Sequence, residues 1–493
     1  MMNANMETIN YLKKYGQEHL LQFWDELNDE EKKILLKDIN DADLERTVQY
    51  FQRVVNDDDN DEKKCTNMEP VSSDCSASLN KCRETSEVDN FEEIGLKSIS
   101  DGHVGVLLLA GGQGTRLGST DPKGMFDIGL PSKKSLFQLQ AERIFKLQSL
   151  AKEKFSKTCI IPWYIMTSAT TKTKTKIFFE ENDYFGLNKE NVFMFEQGML
   201  PCFDFNGKII LEKKYKIAKS PDGNGGLYKA LKEKNVLEDM SKKNVKYLHV
   251  YCVDNILVKV ADPIFIGYCV SKNAECAAKV VEKVSPTEPI GVVCKVDGKL
   301  QVVEYSEISS NDAEKRNEID GSLTFKAGNI CNHFFTYEFL KDVAEHHENK
   351  MKLHKAIKKI QYTNAEGEHI VPLEPNGIKI EKFVFDVFPF ATKFCIWEVP
   401  RDEEFSALKN SIKSVSDNPN TAKESIFNLH RKYIQNAGGI ISNNVLCEIS
   451  PLLSYAGEGL NEFNGKNFND SNHPIHLQSS LELKKIKNDL LLI

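Results

Sequence analysis

LLLAGGQGTRLG, running from Leu107 to Gly118, is the stretch that decides the fold. It continues Val104-Gly105-Val106, so VGVLLLA is an apolar run ended by a glycine pair, as expected of a central parallel strand buried on both faces. A glycine-rich exit from such a strand brings backbone N–H groups close to an anion. Gly111, Gly112 and Gly114 are expected to take positive φ and to leave the room a Cβ would fill. Arg116 and Lys123, the latter five residues past Gly118, add full positive charge. The segment therefore reads as a polyphosphate loop.

Spacing separates three forms of such a loop. A P-loop needs Gly-Lys-Ser/Thr after four intervening residues, and no such tripeptide follows these glycines. A dinucleotide fingerprint needs G-x-G-x-x-G, whereas Gly112, Gly114 and Gly118 give G-x-G-x-x-x-G. A nucleotidyltransferase loop needs glycine amides for a nucleoside triphosphate, with an Arg and a Lys to neutralise the departing pyrophosphate. Both cations are in place, which favours the third form.

Outward from the loop, CIIPWYIMT, NVFMFEQ, VKYLHVYCVDN and ECAAKVV supply further strands. PIGVVCKVDGKLQVVEYSEI reads as a hairpin turning at Asp297-Gly298. Helical periodicity separates these runs in SLFQLQAERIFKLQSLAKE and GGLYKALKEKNVLEDM, so residues 96–400 are expected to form an α/β catalytic domain with a mostly parallel sheet and an antiparallel insertion. Residues 1–55 read as amphipathic helices, one capped by Asn28 and a later one carrying Leu44, Val48, Phe51 and Val54. Residues 56–95 are acidic, serine-rich and poor in large apolar side chains, and are expected to be a mobile linker. Residues 401–493 are expected to be a small α+β C-terminal domain, helical through SIFNLHRKYIQNAGG and ending in ELKKIKNDLLLI as a helix or frayed tail.

The net charge of −8 argues against a surface that coats nucleic acid. Basic residues cluster in KSPDGNGGLYKALKEK, which suits a small anionic substrate, and in TKTKTK (Thr171–Lys176), which reads as a solvated face. No stretch approaches a membrane span and the N-terminus lacks an apolar signal core, so a cytoplasmic protein is expected. The twelve cysteines include no CxxC pair, and Cys159, Cys252, Cys269, Cys276, Cys294 and Cys331 lie in or beside apolar runs, as reduced thiols do. Neither a disulfide nor zinc is expected. Cys65, Cys75 and Cys82 have the wrong spacing for a zinc module and no histidine beside them.

The pattern L-A-G-G-Q-G-T-R-L-G-x4-K resembles the signature of the UDP-sugar pyrophosphorylase family. EQGMLPCFD from Glu196, SPDGNGGLYKAL from Ser220, YCVDN from Tyr251, VVEYSE from Val302, KAGNICNHFF from Lys326, IKIEKFVFD from Ile378 and EISPLLSYAGEGL from Glu448 are similar to its eukaryotic UDP-N-acetylglucosamine (UDP-N-acetylhexosamine) pyrophosphorylase branch. The resemblance spans about residues 95 to 460 and implies a Rossmann-like, GT-A-like nucleotidyltransferase fold. It also implies a magnesium- or manganese-dependent enzyme that joins UTP and N-acetylglucosamine 1-phosphate, or N-acetylgalactosamine 1-phosphate, with release of pyrophosphate. A monomer or weak homodimer is expected.

The implied roles fall on individual residues. Leu109, Ala110, Gly111, Gly112, Arg116 and Lys123 would serve the UTP phosphates. Asp254 ends an apolar strand, where a carboxylate either caps a helix or holds a divalent cation, and the resemblance favours the cation. Gln197 offers uracil both donor and acceptor, with Gly223 packed beside the base. Asn224, Glu304, Tyr305 and Asn329 would contact the sugar. Phe383 and Phe385, read as i and i+2 on a strand, share one face and would wall the acetyl group, with Asp386 turned away from the site. Lys379 lies near phosphate and Lys409 reaches the sugar phosphate. Where the family usually has proline before the leucine, this chain has Ala407, which calls the local turn into question.

Overall fold

The computed structural model describes residues 6–58, 67–469, 473–480 and 482. The chain divides into two compact units: residues 1–64, 197–230 and 347–386 form unit 1, and residues 65–196, 231–346 and 387–493 form unit 2.

Unit 2 holds the main sheet. Apart from the two-residue edge strand Met68–Glu69, its strands in chain order are β1 (Ser76–Ser78), β2 (Val104–Leu109), β3 (Trp163–Thr167), β4 (Val192–Glu196), β5 (Tyr247–Cys252), β6 (Cys276–Glu282), β7 (Val292–Val296), β8 (Lys299–Val303), β9 (Ala327–Thr336) and β10 (Phe394–Glu398). Their order across the sheet is β1-β10-β6-β9-β5-β2-β3-β4, with β7 on β9 and β8 on β7. Every strand of that row runs one way except β9, which is antiparallel to both β5 and β6. All six residues of β2 are buried, as the apolar run requires for a strand covered on both faces. The expected hairpin is β7–β8, turning at Asp297 and Gly298 with φ of 50° and 79°, the left-handed pair a tight I′ turn demands. The expected mixed, mostly parallel α/β sheet is therefore present.

The linker expectation fails over its described part. Ser76–Ser78 pairs with β10 as a sheet strand, and Glu87–Ser100 is a helix, α1. Leu79, Cys82, Phe91, Leu96 and Ile99 enter the main core. Burying Phe91, Leu96 and Ile99 contributes about 1.5–3 kcal/mol each to ordering a helix whose other residues, Val88 and Ile94 apart, are polar or glycine. Helix α2 (Leu136–Phe155) begins at Ser135, whose side chain accepts from Gln138 N. Helix α3 (Pro263–Ser271) is capped by Asp262 and crosses α1 at two glycines. A Cβ on Gly95 would lie 1.8 Å from the Pro263 carbonyl oxygen, and one on Gly267 would lie 1.7 Å from that of Phe91. Residues 59–66, Cys65 among them, and most of the expected C-terminal tail lie outside the described residues.

Described residues after 401 join the main core of unit 2. Helix α4 (Pro419–Asn436) puts Ile426, Phe427 and Ile434 into the same cluster as Val106 and Leu108 of β2. The N-terminal helices Met6–Lys14, Asp29–Asp41 and Leu44–Asp58 likewise share a core, in unit 1, with Phe203, Ile378 and Ile380. Asn28 caps the second of these in a reciprocal capping box with Glu31, as its sequence indicates. The segments 197–230 and 347–386, read as part of one catalytic domain, thus belong with the N-terminus.

Candidate active site

In unit 2 the glycine loop leaves β2 and is folded back on itself. Gly112 O accepts the Lys123 amide at 3.2 Å, Gly114 N donates to Asp121 O at 2.9 Å, and Ser168 Oγ donates to Gly111 O at 2.8 Å. The glycines meet only part of the expectation. Gly118 has φ of 84°, but Gly111, Gly112 and Gly114 are not in the positive-φ region. A Cβ built on Gly112 would meet no protein atom within 4 Å, so this glycine keeps the approach to the backbone open rather than permitting a strained dihedral. Leu109 and Ala110 are buried beneath the loop. Arg116 is exposed, with no ion pair among the described residues.

Lys123 Nζ lies 3.4 Å from Asp254 Oδ2, two residues beyond the end of β5. The loop cation and the strand-end carboxylate, 131 positions apart, are thus neighbours. Asp254 also holds the Lys409 segment: its carbonyl accepts the Leu408 amide at 2.8 Å, while Ile256 N donates to Ser406 O at 3.0 Å. This short antiparallel contact centres on Asn255 and Ala407. Its ladder uses the N–H groups of Ile256 and Leu408, not that of Ala407, so exchanging proline for alanine there costs no hydrogen bond and Lys409 keeps its place. Asn255, 4% exposed, clamps the contact. Its Nδ2 donates to Glu404 O at 2.7 Å, and its Oδ1 accepts from Ser406 N at 3.0 Å and Leu257 N at 3.2 Å. Glu404 in turn meets the fully buried Lys279 at 2.5 Å, and Lys279 meets Asp262 at 2.6 Å. Lys409 itself is exposed, its amide held by Asp417 O at 2.7 Å.

Glu304, just past β8, and Asn329 on β9 flank Gly291. Asn329 N donates to Gly291 O at 2.8 Å, and a Cβ on Gly291 would lie 3.0 Å from Glu304 Oε1. Tyr305 is 53% exposed. Gly291 was not singled out from sequence. Only its place at the head of the β7 hairpin could have pointed to it.

Unit 1 carries the remaining residues. Gln197, 9% exposed, points its amide nitrogen at Gly223 O, at 3.5 Å. The loop from Pro221 to Gly226 packs directly on residues 382–384. A Cβ on Gly223 (φ 84°) would lie 2.3 Å from Lys382 O, and one on Gly225 would lie 2.6 Å from Lys382 C. Asn224 Oδ1 accepts from Val384 N at 2.9 Å, so sugar contact would fall to its amide nitrogen. Asp222 is 6% exposed, and burial pushes its carboxyl up to about 6 against the partial offset of Lys382.

Phe383 and Phe385 are neighbours for a different reason from the one expected. The strand Gly377–Glu381 ends before them, and they sit in a turn with ring centroids 5.3 Å apart. Asp386 makes that turn, Oδ2 accepting the Phe383 amide at 2.7 Å, and pairs with His354 Nε2 at 3.0 Å. His354 stacks on Phe383 at 4.0 Å, a contact sequence reasoning missed. Lys382 is anchored by Tyr50 at 2.9 Å and by Glu348. Lys379 alternates with the buried Ile378 and Ile380, so it projects from the opposite face of its strand. Of TKTKTK, Lys172 pairs with Glu196 and Lys174 with Asp121 at the surface. No helix among the described residues is long and apolar enough to cross a membrane.

Known proteins resemble this chain over most of its length. The model of the UTP–glucose-1-phosphate uridylyltransferase family matches residues 44–444. A Xenopus tropicalis UDP-N-acetylhexosamine pyrophosphorylase-like protein 1 is 50% identical, over 94% of this chain and 95% of that one. A probable UDP-N-acetylglucosamine pyrophosphorylase of Dictyostelium discoideum is 45% identical, over 95% and 98%. The crystal structure of a putative UDP-N-acetylglucosamine pyrophosphorylase from Entamoeba histolytica superposes with a TM-score of 0.76 at 40% identity, covering 84% of this chain and all of that one. Matched by the family model over residues 44–444 and by relatives over nearly its whole length, the chain belongs to the UTP–glucose-1-phosphate uridylyltransferase family.

Proposed function

We propose that this enzyme is a uridylyltransferase that makes UDP-N-acetylglucosamine and pyrophosphate from UTP and N-acetylglucosamine 1-phosphate, with N-acetylgalactosamine 1-phosphate as a second acceptor. The observation that carries the reading is the convergence on Asp254: Lys123 meets its carboxylate and the Lys409 segment is bonded to its backbone. Pyrophosphate departure and sugar-phosphate attack both need positive charge at one phosphorus.

A phosphate oxygen of the sugar 1-phosphate forms the new bond to the α phosphorus as the bond to pyrophosphate breaks. The nucleophile is already anionic at neutral pH, so no side-chain base is required and the residues act by positioning and charge neutralisation. The loop amides with Arg116 and Lys123 hold the leaving phosphates, and Lys409 orients the attacking one. Gln197 reads the uracil edge and Gly223 flanks it. Asn224, Glu304, Tyr305 and Asn329 address the sugar hydroxyls, Phe383 and Phe385 receive the acetyl methyl, and Lys379 serves phosphate. Asp254 offers a single carboxylate at the end of β5, beside Lys123. That fits magnesium, which binds through one or two carboxylates plus substrate phosphates and water. Bound there, the ion would neutralise phosphate charge.

Pyrophosphate release measured with UTP, CTP and ATP tests the base assignment. UTP is expected to be used far better, and Gln197→Ala to narrow its lead over CTP. Equal use of the three nucleotides by the wild type would refute it.

A further inference from the structure

Cys252 and Cys331 stand one step beyond Tyr251 and Asn332, the last paired residues of β5 and β9 in unit 2. Residues opposite each other in an antiparallel pair have Cα atoms about 4.5–5.5 Å apart, inside the range of about 4.4–6.8 Å that a disulfide needs. An irregularity of β9 turns the side chains together. Lys279 and Val280 of β6 face Asn332 and Asn329, so Ile330 and Cys331 form a bulge, and Cys331 takes a φ of 51°. Bulges next to active sites re-aim side chains in this way. The Cys252 thiol donates to Cys331 Sγ at 3.1 Å, and both are free thiols. Both are partly exposed, whereas every other described cysteine except Cys75 is buried. Their neighbours belong to the site: Asp254 is two residues beyond Cys252, and Asn329 Oδ1 accepts the Cys331 amide at 3.1 Å.

We propose that Cys252 and Cys331 are a reversible oxidation site at which a hydroperoxide joins the two sulfurs and thereby slows the transferase. One thiol sulfur attacks the peroxide oxygen, giving a sulfenic acid and an alcohol, or water from hydrogen peroxide. The second thiol then displaces the sulfenic oxygen as water and closes the S–S bond. Two thiols lose two electrons and two protons in all, and the peroxide is reduced. Closing from 3.1 Å to the ~2.05 Å of a disulfide needs only a small shift, which ties the exit of β5 to the bulge of β9. The effect on rate rests on the reading that Asp254 and Asn329 serve the substrates, since a displacement of about 1 Å at a reacting centre costs up to ~100-fold.

The test treats the full-length protein with hydrogen peroxide, identifies linked peptides by mass, and measures turnover before and after dithiothreitol. The wild type is expected to form the 252–331 linkage, to lose activity by about tenfold or more, and to recover on reduction. Cys331→Ala and Cys252→Ala are each expected to keep basal activity and resist peroxide, and Cys75→Ala to behave as wild type. Absence of the linkage, a linkage without loss of activity, or loss of activity in both variants as great as in the wild type would overturn the proposal. The linkage is read by mass without turnover, and turnover of the reduced protein tests the assigned reaction by itself, so the two failures are distinguishable.

Discussion

Asn255→Ala is the perturbation that most sharply separates positioning from bulk stability. The substitution strips partners from three groups, the carbonyl of Glu404 and the amides of Ser406 and Leu257. An orphaned buried group costs about 1–3 kcal/mol. Ser406 is only partly buried, so water recovers some of its bond, and about 2–5 kcal/mol is the expected destabilisation, read from the urea midpoint at constant m-value. The consequence for catalysis is separate. Losing the clamp frees the segment that presents Lys409 to Asp254, so kcat should fall towards that of Lys409→Ala, about 100-fold below wild type on the scale of a lost electrostatic contact. Because both changes remove one function, the double variant should lie close to Lys409→Ala alone instead of multiplying the two losses. Asn255→Asp keeps the acceptor oxygen but sets it against the Glu404 carbonyl, so it should rescue only in part. Wild-type kcat in a destabilised Asn255→Ala, or full multiplication in the double variant, would refute the clamp.

Arg116→Ala and Lys123→Ala should each lower kcat by at least ~100-fold with the circular dichroism spectrum unchanged; turnover near wild type would make them ordinary surface charges. Activity should vanish in excess EDTA, and Asp254→Asn should raise the magnesium concentration needed for half-maximal rate; indifference to EDTA would remove the metal from the mechanism. Asp222 has a carboxyl raised from 3.8 to about 6 in the folded state. The folded protein therefore binds that proton more tightly than the unfolded chain, and the stabilisation is lost as pH rises through about 6. Asp222→Asn should accordingly gain about 3 kcal/mol relative to wild type between pH ~4 and ~6.5, then level off; a flat difference across that range would contradict the assignment.

Features fixed by local chemistry were legible in the sequence. The buried run of β2, the turn at Asp297-Gly298 and the Asn28 cap each depend on residues a few positions apart. Features fixed by distant backbone contact were not. The segment around Phe91 looked too polar to order itself because its partner, Gly267, lies far along the chain, and the helix crossing depends on glycine at both positions. Phe383 and Phe385 read as strand residues because nothing local shows that Asp386 and Asn224 tie them into a turn. Gly112 was read both as needing a positive φ and as leaving room for an approach, and only the second holds, since sequence does not separate a glycine that needs its φ from one that keeps an approach open.

Turnover of the purified chain with UTP and N-acetylglucosamine 1-phosphate, followed as UDP-N-acetylglucosamine and pyrophosphate together, tests uridylyl transfer most directly. The two products are expected in equal amounts. kcat/KM should exceed that for glucose 1-phosphate by at least about fourfold, the worth of burying one methyl at ~0.8 kcal/mol against Phe383 and Phe385. Absence of pyrophosphate, or a higher kcat/KM with glucose 1-phosphate, would contradict the assignment.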